Sequence, residues 1–192
     1  TLLDTVQKTA ENCFIPLTVG GGVRKISDIQ NLLHAGADKV SINTTAVTNR
    51  NFVKEAAEKY GTSTIVIAVD AKNNSQKSWE VFTHGGRNAT GIDVVDYCNE
   101  VASLGAGEIL LTSMDKDGTK SGFDIELLKK ITSSVNIPVI ASGGVGTLEH
   151  FAEGILQGGV NSVLAASVFH FGQFKIQDVK RYLADKNIPV RI

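Results

Sequence analysis

The feature of this sequence that most constrains its fold is a pattern that occurs twice. Residues 15–47 read IPLTVGGGVRKISDIQNLLHAGADKVSINTTAV, and residues 137–169 read IPVIASGGVGTLEHFAEGILQGGVNSVLAASVF. In each copy a short apolar run ends in glycines, an amphipathic helical stretch follows, and a second apolar run ends in small residues. This is the pattern of a βαβ unit, and two copies about 120 residues apart predict a fold made of two halves.

Apolar runs bounded by turn residues predict six strands, with helical patterns between them. If the two copies occupy equivalent places, two further strands should precede the first copy. We therefore predict an α/β fold: a (β/α)₈ TIM barrel built from two half-barrel repeats, here lacking the first two strands and supplying about six βα units. The six predicted strands lie at Ile15 to Val19, Lys39 to Ile42, Thr64 to Val69, Glu108 to Leu111, Ile137 to Ala141 and Ser162 to Ala165.

Composition excludes several functional classes. The 192 residues carry a formal net charge of −1, so there is neither a basic stripe for nucleic acid nor a polybasic membrane patch. No apolar stretch approaches the roughly 18 residues of a membrane-spanning helix, and no signal-peptide pattern begins the chain. We expect one domain over residues 1–192, located in the cytoplasm. Cys13 and Cys98 are isolated, which predicts free thiols, and no metal or cofactor is expected.

Each copy of the repeat predicts a phosphate-binding corner at the carboxyl end of its strands. Glycines let backbone amides approach a ligand closely, and the N-terminus of the helix that follows should present unpaired N–H groups to an anion. Two such corners at one barrel mouth predict an elongated substrate with two phosphates. The alternative is that the glycines only end the strands tightly. The two corners consist of Gly20 to Gly22 with Asn43 and Thr44, and of Ser142, Gly143 and Gly144 with Ala166 and Ser167.

Asp70 is the candidate for proton transfer. It ends the apolar run TIVIAV, which places a carboxylate at the end of the barrel where the strands have their carboxyl ends, next to the apolar residues of the interior. Removal from water would raise its pKa and suit it to proton transfer near neutral pH. Alternatively, Asp70 caps a turn or pairs with Lys72.

Two further segments lie near the same end of the barrel. Thr112 follows the next strand and could contact substrate, while Asp117 and Gly118 form a turn whose Asp-x-Asp-Gly pattern lacks the Glu of a calcium loop. His84 follows the apolar run at Trp79 to Phe82, in a hairpin-like excursion. We expect it to stabilise the loop rather than act as a base.

Several strings in the chain resemble one enzyme family. They are VGGGVR, ADKVSINT, AVDAK, THGGR, GAGEILLTSMDKDGT, ASGGVGTLEHF and AASVFHFG. Together they resemble the cyclase subunit of imidazole glycerol phosphate synthase, the HisF family of histidine biosynthesis. The resemblance implies a (β/α)₈ barrel in a heterodimer with a glutamine amidotransferase. Ammonia from that partner and phosphoribulosylformimino-aminoimidazole carboxamide ribonucleotide (PRFAR) would give imidazole glycerol phosphate and aminoimidazole carboxamide ribonucleotide (AICAR).

The resemblance also implies roles for particular residues. Asp70 matches the family's second catalytic aspartate, the acid of an acid/base pair. Lys39 and Glu108 match two of four charged residues around the ammonia entrance, and Asp38 matches a residue of the glutaminase interface. Gly22, Asn43 and Thr44 match one phosphate site; Thr112, Asp117, Gly118, Gly144, Ala166 and Ser167 match the pocket and the other phosphate site, which also contains Gly143 of the second corner.

The family's first catalytic aspartate ends its first strand, which the repeat places upstream of Thr1. We therefore expect that this chain by itself does not complete the cyclase reaction, and that six strands expose two sheet edges that a second copy could cover. Two alternatives stay open. One is the sister enzyme, phosphoribosylformimino-aminoimidazole carboxamide ribotide isomerase (HisA), and the other is a non-catalytic barrel fragment that only binds partner subunits.

Overall fold

The computed structural model describes residues 2–74 and 78–192. The strands are β1 (Thr18–Gly20), β2 (Lys39–Ile42), β3 (Ile65–Asn73), β4 (Trp79–Thr83), β5 (Asn88–Asp93), β6 (Glu108–Ser113), β7 (Val139–Ser142) and β8 (Ser162–Val163). The helices are α1 (Leu2–Ala10), α2 (Ile26–His34), α3 (Thr44–Thr48), α4 (Arg50–Tyr60), α5 (Val94–Ser103), α6 (Ile125–Thr132), α7 (Leu148–Leu156), α8 (Ser167–His170) and α9 (Ile176–Asp185). Within these two described ranges, no helix combines the length and the apolar character needed to cross a membrane.

Six strands pair in parallel in the order β1-β2-β3-β6-β7-β8, with helices in the connections between them. This confirms the six predicted strands and the parallel α/β architecture. Across the described residues, β1 and β8 each have a strand neighbour on one side only. Closure into an eight-stranded barrel stays a prediction.

The strand boundaries differ from the predicted ones for local reasons. β1 begins at Thr18 rather than Ile15, because pairing with β2 starts where Thr18 lies opposite Lys39. The N–H of Leu17 instead donates to the carboxylate of Asp38 at 2.7 Å. At the other extreme, β3 continues to Asn73, because beyond Val69 it also pairs with the antiparallel strand β4.

The strands β4 and β5 form the predicted hairpin excursion. They extend the sheet antiparallel to β3, and the indole N–H of the buried Trp79 donates to the carboxylate of Asp124 at 3.0 Å. Asp124 also caps α6 by accepting the N–H of Leu127 at 3.1 Å. The hairpin is therefore fixed to the body of the fold at its base, with its tip near the carboxyl end of β2.

The two faces of the parallel sheet have different roles. On β3, Ile65, Ile67 and Val69 are fully buried in the hydrophobic core against the helices, while Ala68 and Asp70 face a cavity on the inner side. This alternation follows from the two-residue period of a strand. It places a carboxylate on the inner face at the carboxyl end of the strand, as the sequence predicts.

The two copies of the repeat have the same backbone shape. Gly21 and Gly22 have φ of 101° and 72°, and their counterparts Gly143 and Gly144 have φ of 94° and 104°. All four adopt the left-handed conformation that favours glycine. The repeat in the sequence is thus a repeat in structure, with β1-α2-β2 matched by β7-α7-β8.

Candidate functional site

A cavity of about 1020 Å³ lies on the inner face at the carboxyl ends of β1, β2 and β3. Ala68, Leu110 and Leu164 contribute apolar side chains to its lining. The cavity brings together the predicted residues of the first half, which come from three different strand ends. These residues are Gly22, Asn43, Thr44 and Asp70.

Asp70 is partly buried in this cavity, and its Oδ2 accepts a hydrogen bond from Asn43 Nδ2 at 3.2 Å. Burial raises the pKa of the Asp70 carboxyl above its ordinary value; the hydrogen bond from Asn43 opposes this rise, and the charge of Asp117 adds to it. The ammonium of Lys72 lies over the ring of Phe82, 5.6 Å from its centroid. Among the described ion pairs there is none between Asp70 and Lys72.

The tip of the hairpin forms one wall of the cavity. The backbone N–H of His84 donates to Thr44 Oγ1 at 3.0 Å. The imidazole Nδ1 of His84 lies 3.1 Å from Thr83 Oγ1 and 3.2 Å from Asn88 Nδ2. These contacts agree with the predicted loop-stabilising role of His84, and they also fix the position of Thr44.

Of the amides predicted to be unpaired at the entries to α2 and α7, the last two before each helix already have a side-chain acceptor. In the first corner, the N–H groups of Arg24 and Lys25 donate to Asp28 Oδ2 at 2.8 and 2.9 Å, and the first of these bonds is the main reason why the pKa of Asp28 is lowered. In the second corner, the N–H groups of Gly146 and Thr147 lie 3.1 and 3.3 Å from His150 Nδ1. Each helix caps its own N-terminus, because residue N3 carries an acceptor.

The short helices α3 and α8 offer the alternative donors. Asn43 and Ala166 precede them as N-cap residues, and neither makes a side-chain capping hydrogen bond. The first amides of a helix have no partner within the helix, so an anion can accept from them. The predicted pairs Asn43 with Thr44 and Ala166 with Ser167 lie at these two N-termini, in matching places of the two repeats.

The second corner is a smaller cavity of about 180 Å³, adjoining the first through Leu164, which lines both. A Cβ on Gly144 would lie 2.2 Å from the carbonyl oxygen of Gly122, and one on Gly143 would lie 2.9 Å from that of Ser113. Here the structural interpretation of the glycines holds as well, since the backbones pack too closely for a side chain. The predicted residues that line this cavity are Asp117, Gly118, Gly143, Gly144, Ala166 and Ser167.

Thr112 lies between the two corners. In the sheet register it is opposite Asp70 on one side and Ser142 on the other. Leu110, two residues before it, faces the first cavity, so Thr112 is on the same inner face. In the sheet, Thr112 is therefore the single residue that lies between Asp70 of the first corner and Ser142 of the second corner.

The three residues predicted for the ammonia entrance and the partner interface lie at the opposite end of the strands. The ammonium of Lys39 contacts Glu108 Oε1, and since β2 and β6 both neighbour β3, this ion pair spans β3. The two side chains are 26% and 21% exposed, so they remain in contact with water. Asp38 is exposed, and its carboxylate ties the beginning of β1 to β2 through Leu17 N–H.

Two cations near the corners were not singled out from the sequence. Arg24 lines the first cavity and Lys120 lines the second. Each follows a glycine turn closely in sequence, after Gly22 and after Gly118, and that position is the signal that could have identified them. Lys120 has a φ of 57°, an uncommon backbone conformation for a residue with a side chain.

No group of three or more His, Cys, Asp or Glu side chains suited to a metal ion occurs within the described part of the chain. The model of the histidine biosynthesis protein family matches residues 1–175. This match covers every strand and both corners described above.

Proposed function

Because the chain belongs to the histidine biosynthesis protein family, we propose that it is the cyclase subunit of imidazole glycerol phosphate synthase, which converts PRFAR and ammonia into imidazole glycerol phosphate and AICAR. The observation that carries the proposal is the position of Asp70, a carboxyl with a raised pKa on the same inner face as two matched corners. A substrate with a phosphate at each end and a reacting centre in the middle fits this arrangement.

The phosphates are assigned to the N-termini of α3 and α8. Each helix begins at a hydroxyl residue, Thr44 or Ser167, that lines a corner. Arg24 and Lys120 add one positive charge at each corner, which strengthens hydrogen bonding to an anion. Asp117 and Gly118 also line the second corner.

Asp70 acts as a proton donor in this proposal. During the reaction the keto oxygen of PRFAR leaves as water while the nitrogen of ammonia takes its place, and the imidazole ring closes as the AICAR amine departs. Both leaving groups need a proton. A carboxyl whose pKa is raised is protonated in a larger share of molecules near neutral pH than an exposed one, and it is therefore the better acid.

The opposite end of the strands supports the cyclase over the isomerase. The ion pair between Lys39 and Glu108 places polar, water-accessible groups on the interior at the end away from the phosphate corners. An enzyme that receives ammonia from a partner needs a polar entrance on this side, whereas an isomerase needs none. We assign this end, with Asp38 beside it, to the docking of a glutamine amidotransferase subunit.

The test measures the optical loss of PRFAR with and without ammonium ions, using the protein at the length that its gene encodes. Loss of PRFAR that requires ammonium and yields both products supports the cyclase. Conversion of the phosphoribosylformimino form without ammonium would instead assign the isomerase. No turnover of either compound, together with binding of a glutamine amidotransferase, would replace both by a binding role. Asp70→Asn is the control, since it retains the shape of the side chain and removes the proton.

A further inference from the structure

Three hydrogen bonds join the hairpin tip to Asp70 in one continuous line. The backbone N–H of His84 donates to Thr44 Oγ1 at 3.0 Å. The hydroxyl of Thr44 donates to Asn43 Oδ1 at 3.3 Å, and Asn43 Nδ2 donates to Asp70 Oδ2 at 3.2 Å. The line crosses from β4-β5 through the beginning of α3 to the end of β3.

The direction of each bond follows from the groups involved. A backbone N–H can only donate, so Thr44 Oγ1 is the acceptor at the hairpin end of the line. The single proton of that hydroxyl is then directed to Asn43 Oδ1. An amide held by its oxygen presents its NH₂ group in the other direction, where the carboxylate of Asp70 accepts from it. The reverse amide orientation would place an oxygen against the carboxylate and repel it.

We propose that the β4-β5 hairpin controls the hydrogen bonding of Asp70 through Thr44 and Asn43, with Thr44 as a positioning residue that orients the Asn43 amide. Any change in the contact between His84 and Thr44 then alters the protonation of Asp70. Since linkage is reciprocal, protonation of Asp70 also alters that contact. The use of the Asp70 proton in catalysis rests on the proposed cyclase function, but the link between hairpin and carboxyl does not.

Besides Asn43 and Thr44, charged and titratable side chains also lie near Asp70. Asp117 in the connection after β6 raises the pKa of Asp70 through space. Arg24 and the imidazole of His84 line the same cavity, and Lys72 lies on the same strand over the ring of Phe82. Asp117, Arg24 and Lys72 make no described hydrogen bond to Thr44, whereas His84 is held to Thr44 through its backbone N–H. A change in Asp70 on loss of the Thr44 hydroxyl therefore reports on the contacts of Thr44, and a combination with an Asn43 variant separates the line of hydrogen bonds from a displacement of His84.

The experiment follows the carbon-13 carboxyl resonance of Asp70 as a function of pH, without substrate. Thr44→Val removes the hydroxyl while retaining the shape of the side chain, and Thr44→Ser retains the hydroxyl. We expect an upward shift of the Asp70 titration in Thr44→Val and the original titration in Thr44→Ser. The shift is upward because the hydrogen bond from Asn43 favours the charged carboxylate.

A double-mutant cycle distinguishes this line from a general loosening of the cavity. Asn43→Leu removes the amide and gives an upward shift by itself, and adding Thr44→Val to it should give no further shift. Additive shifts would overturn the proposal, as would a Thr44→Val protein that titrates like the original. These outcomes do not depend on turnover, so they are separate from failure of the cyclase assay.

The hairpin end of the line has its own readout. The amide proton resonance of His84 should move as Asp70 titrates, and this movement should be lost in Thr44→Val while persisting in Thr44→Ser. A resonance that does not respond to Asp70 in the original protein would also overturn the link.

Discussion

The two corners have the same glycine pattern and the same backbone conformation, but they differ in their surroundings. No atom outside the neighbouring residues lies within 4 Å of a Cβ built on Gly21 or Gly22, whereas one built on Gly144 would lie 2.2 Å from a carbonyl oxygen. The first corner also opens into a cavity more than five times larger than the second. One motif thus serves two purposes: the first pair of glycines leaves space for a ligand, and the second also lets two backbones pack together.

The largest effect should come from Asp70, which lies in the first corner and is opposite Thr112, the residue between the two corners. Replacing Asp70 by Asn should lower the turnover of PRFAR by about 10²–10⁴-fold, the usual contribution of a general acid. Steady-state kinetics in ammonium buffer measures this loss. Because the amide retains the shape of the side chain, the binding of PRFAR should change far less than its turnover. A variant that keeps most of its turnover would separate Asp70 from the chemistry and leave the two corners without a common centre.

A pair of alanine substitutions tests the difference between the corners directly. Gly144→Ala should lower the free energy of unfolding by at least about 3 kcal/mol, because a buried clash with the carbonyl of Gly122 adds to the strain of a left-handed residue. Gly22→Ala should cost only about 1–2 kcal/mol, the strain alone. Denaturant unfolding of both variants measures the two losses. Equal losses would show that the difference in packing has no energetic consequence.

Arg24 and Lys120, the cations of the first and the second corner, allow the two corners to be compared by the ligands that they bind. Under the proposed cyclase function, imidazole glycerol phosphate and AICAR each carry one of the two phosphates of PRFAR, so each product should occupy one corner. Arg24→Ala should weaken the binding of one product and Lys120→Ala that of the other, each by about tenfold, as expected for loss of a charge-assisted hydrogen bond. Isothermal titration calorimetry of both products with both variants gives the assignment. If both substitutions weaken the same product, the two corners do not bind separate phosphates.

Much of this arrangement can be predicted from the sequence, because it depends on short-range patterns. The six parallel strands follow from apolar runs, and the inward position of Asp70 follows from alternation along β3. The capping of α2 by Asp28 was missed, although an acidic residue three positions after Lys25 is a recognisable signal of a cap. Its consequence is that the amides of Arg24 and Lys25 already have an acceptor within the chain.

Other features depend on contacts between distant segments and have no local signal. The hydrogen bond between Trp79 and Asp124 joins residues 45 positions apart and, together with the pairing of β4 with β3, holds the hairpin against the body of the fold. The contact between His84 and Thr44 depends on that placement. The orientation of the Asn43 amide toward Asp70 depends in turn on the register of β2 and β3. Sequence patterns predict which residues lie at the carboxyl ends of the strands, and tertiary contacts determine which of these residues bond to one another.

The smallest expected effect is on the pH dependence of the free energy of unfolding, which depends on the charges of Asp70 in the first corner and Asp117 in the second. Because the pKa of Asp70 is raised in the folded protein, the folded state holds this proton more tightly than the unfolded chain does. The contribution of Asp70 to stability is therefore full below the ordinary aspartate range of about 4 and is lost as pH rises through the raised pKa. Relative to Asp70→Asn, the original protein should lose free energy of unfolding over that interval, as measured by urea denaturation at a series of pH values.

Asp117 in the second corner makes this last measurement a test of the comparison. Its negative charge contributes to the raised pKa of Asp70 in the first, so Asp117→Asn should reduce the pH-dependent difference without abolishing it, since burial remains the larger cause. The effect should also shrink in high salt, because Asp117 is exposed and its field is screened. An unchanged difference in Asp117→Asn would mean that the two corners, although adjacent along Leu164, are electrostatically independent.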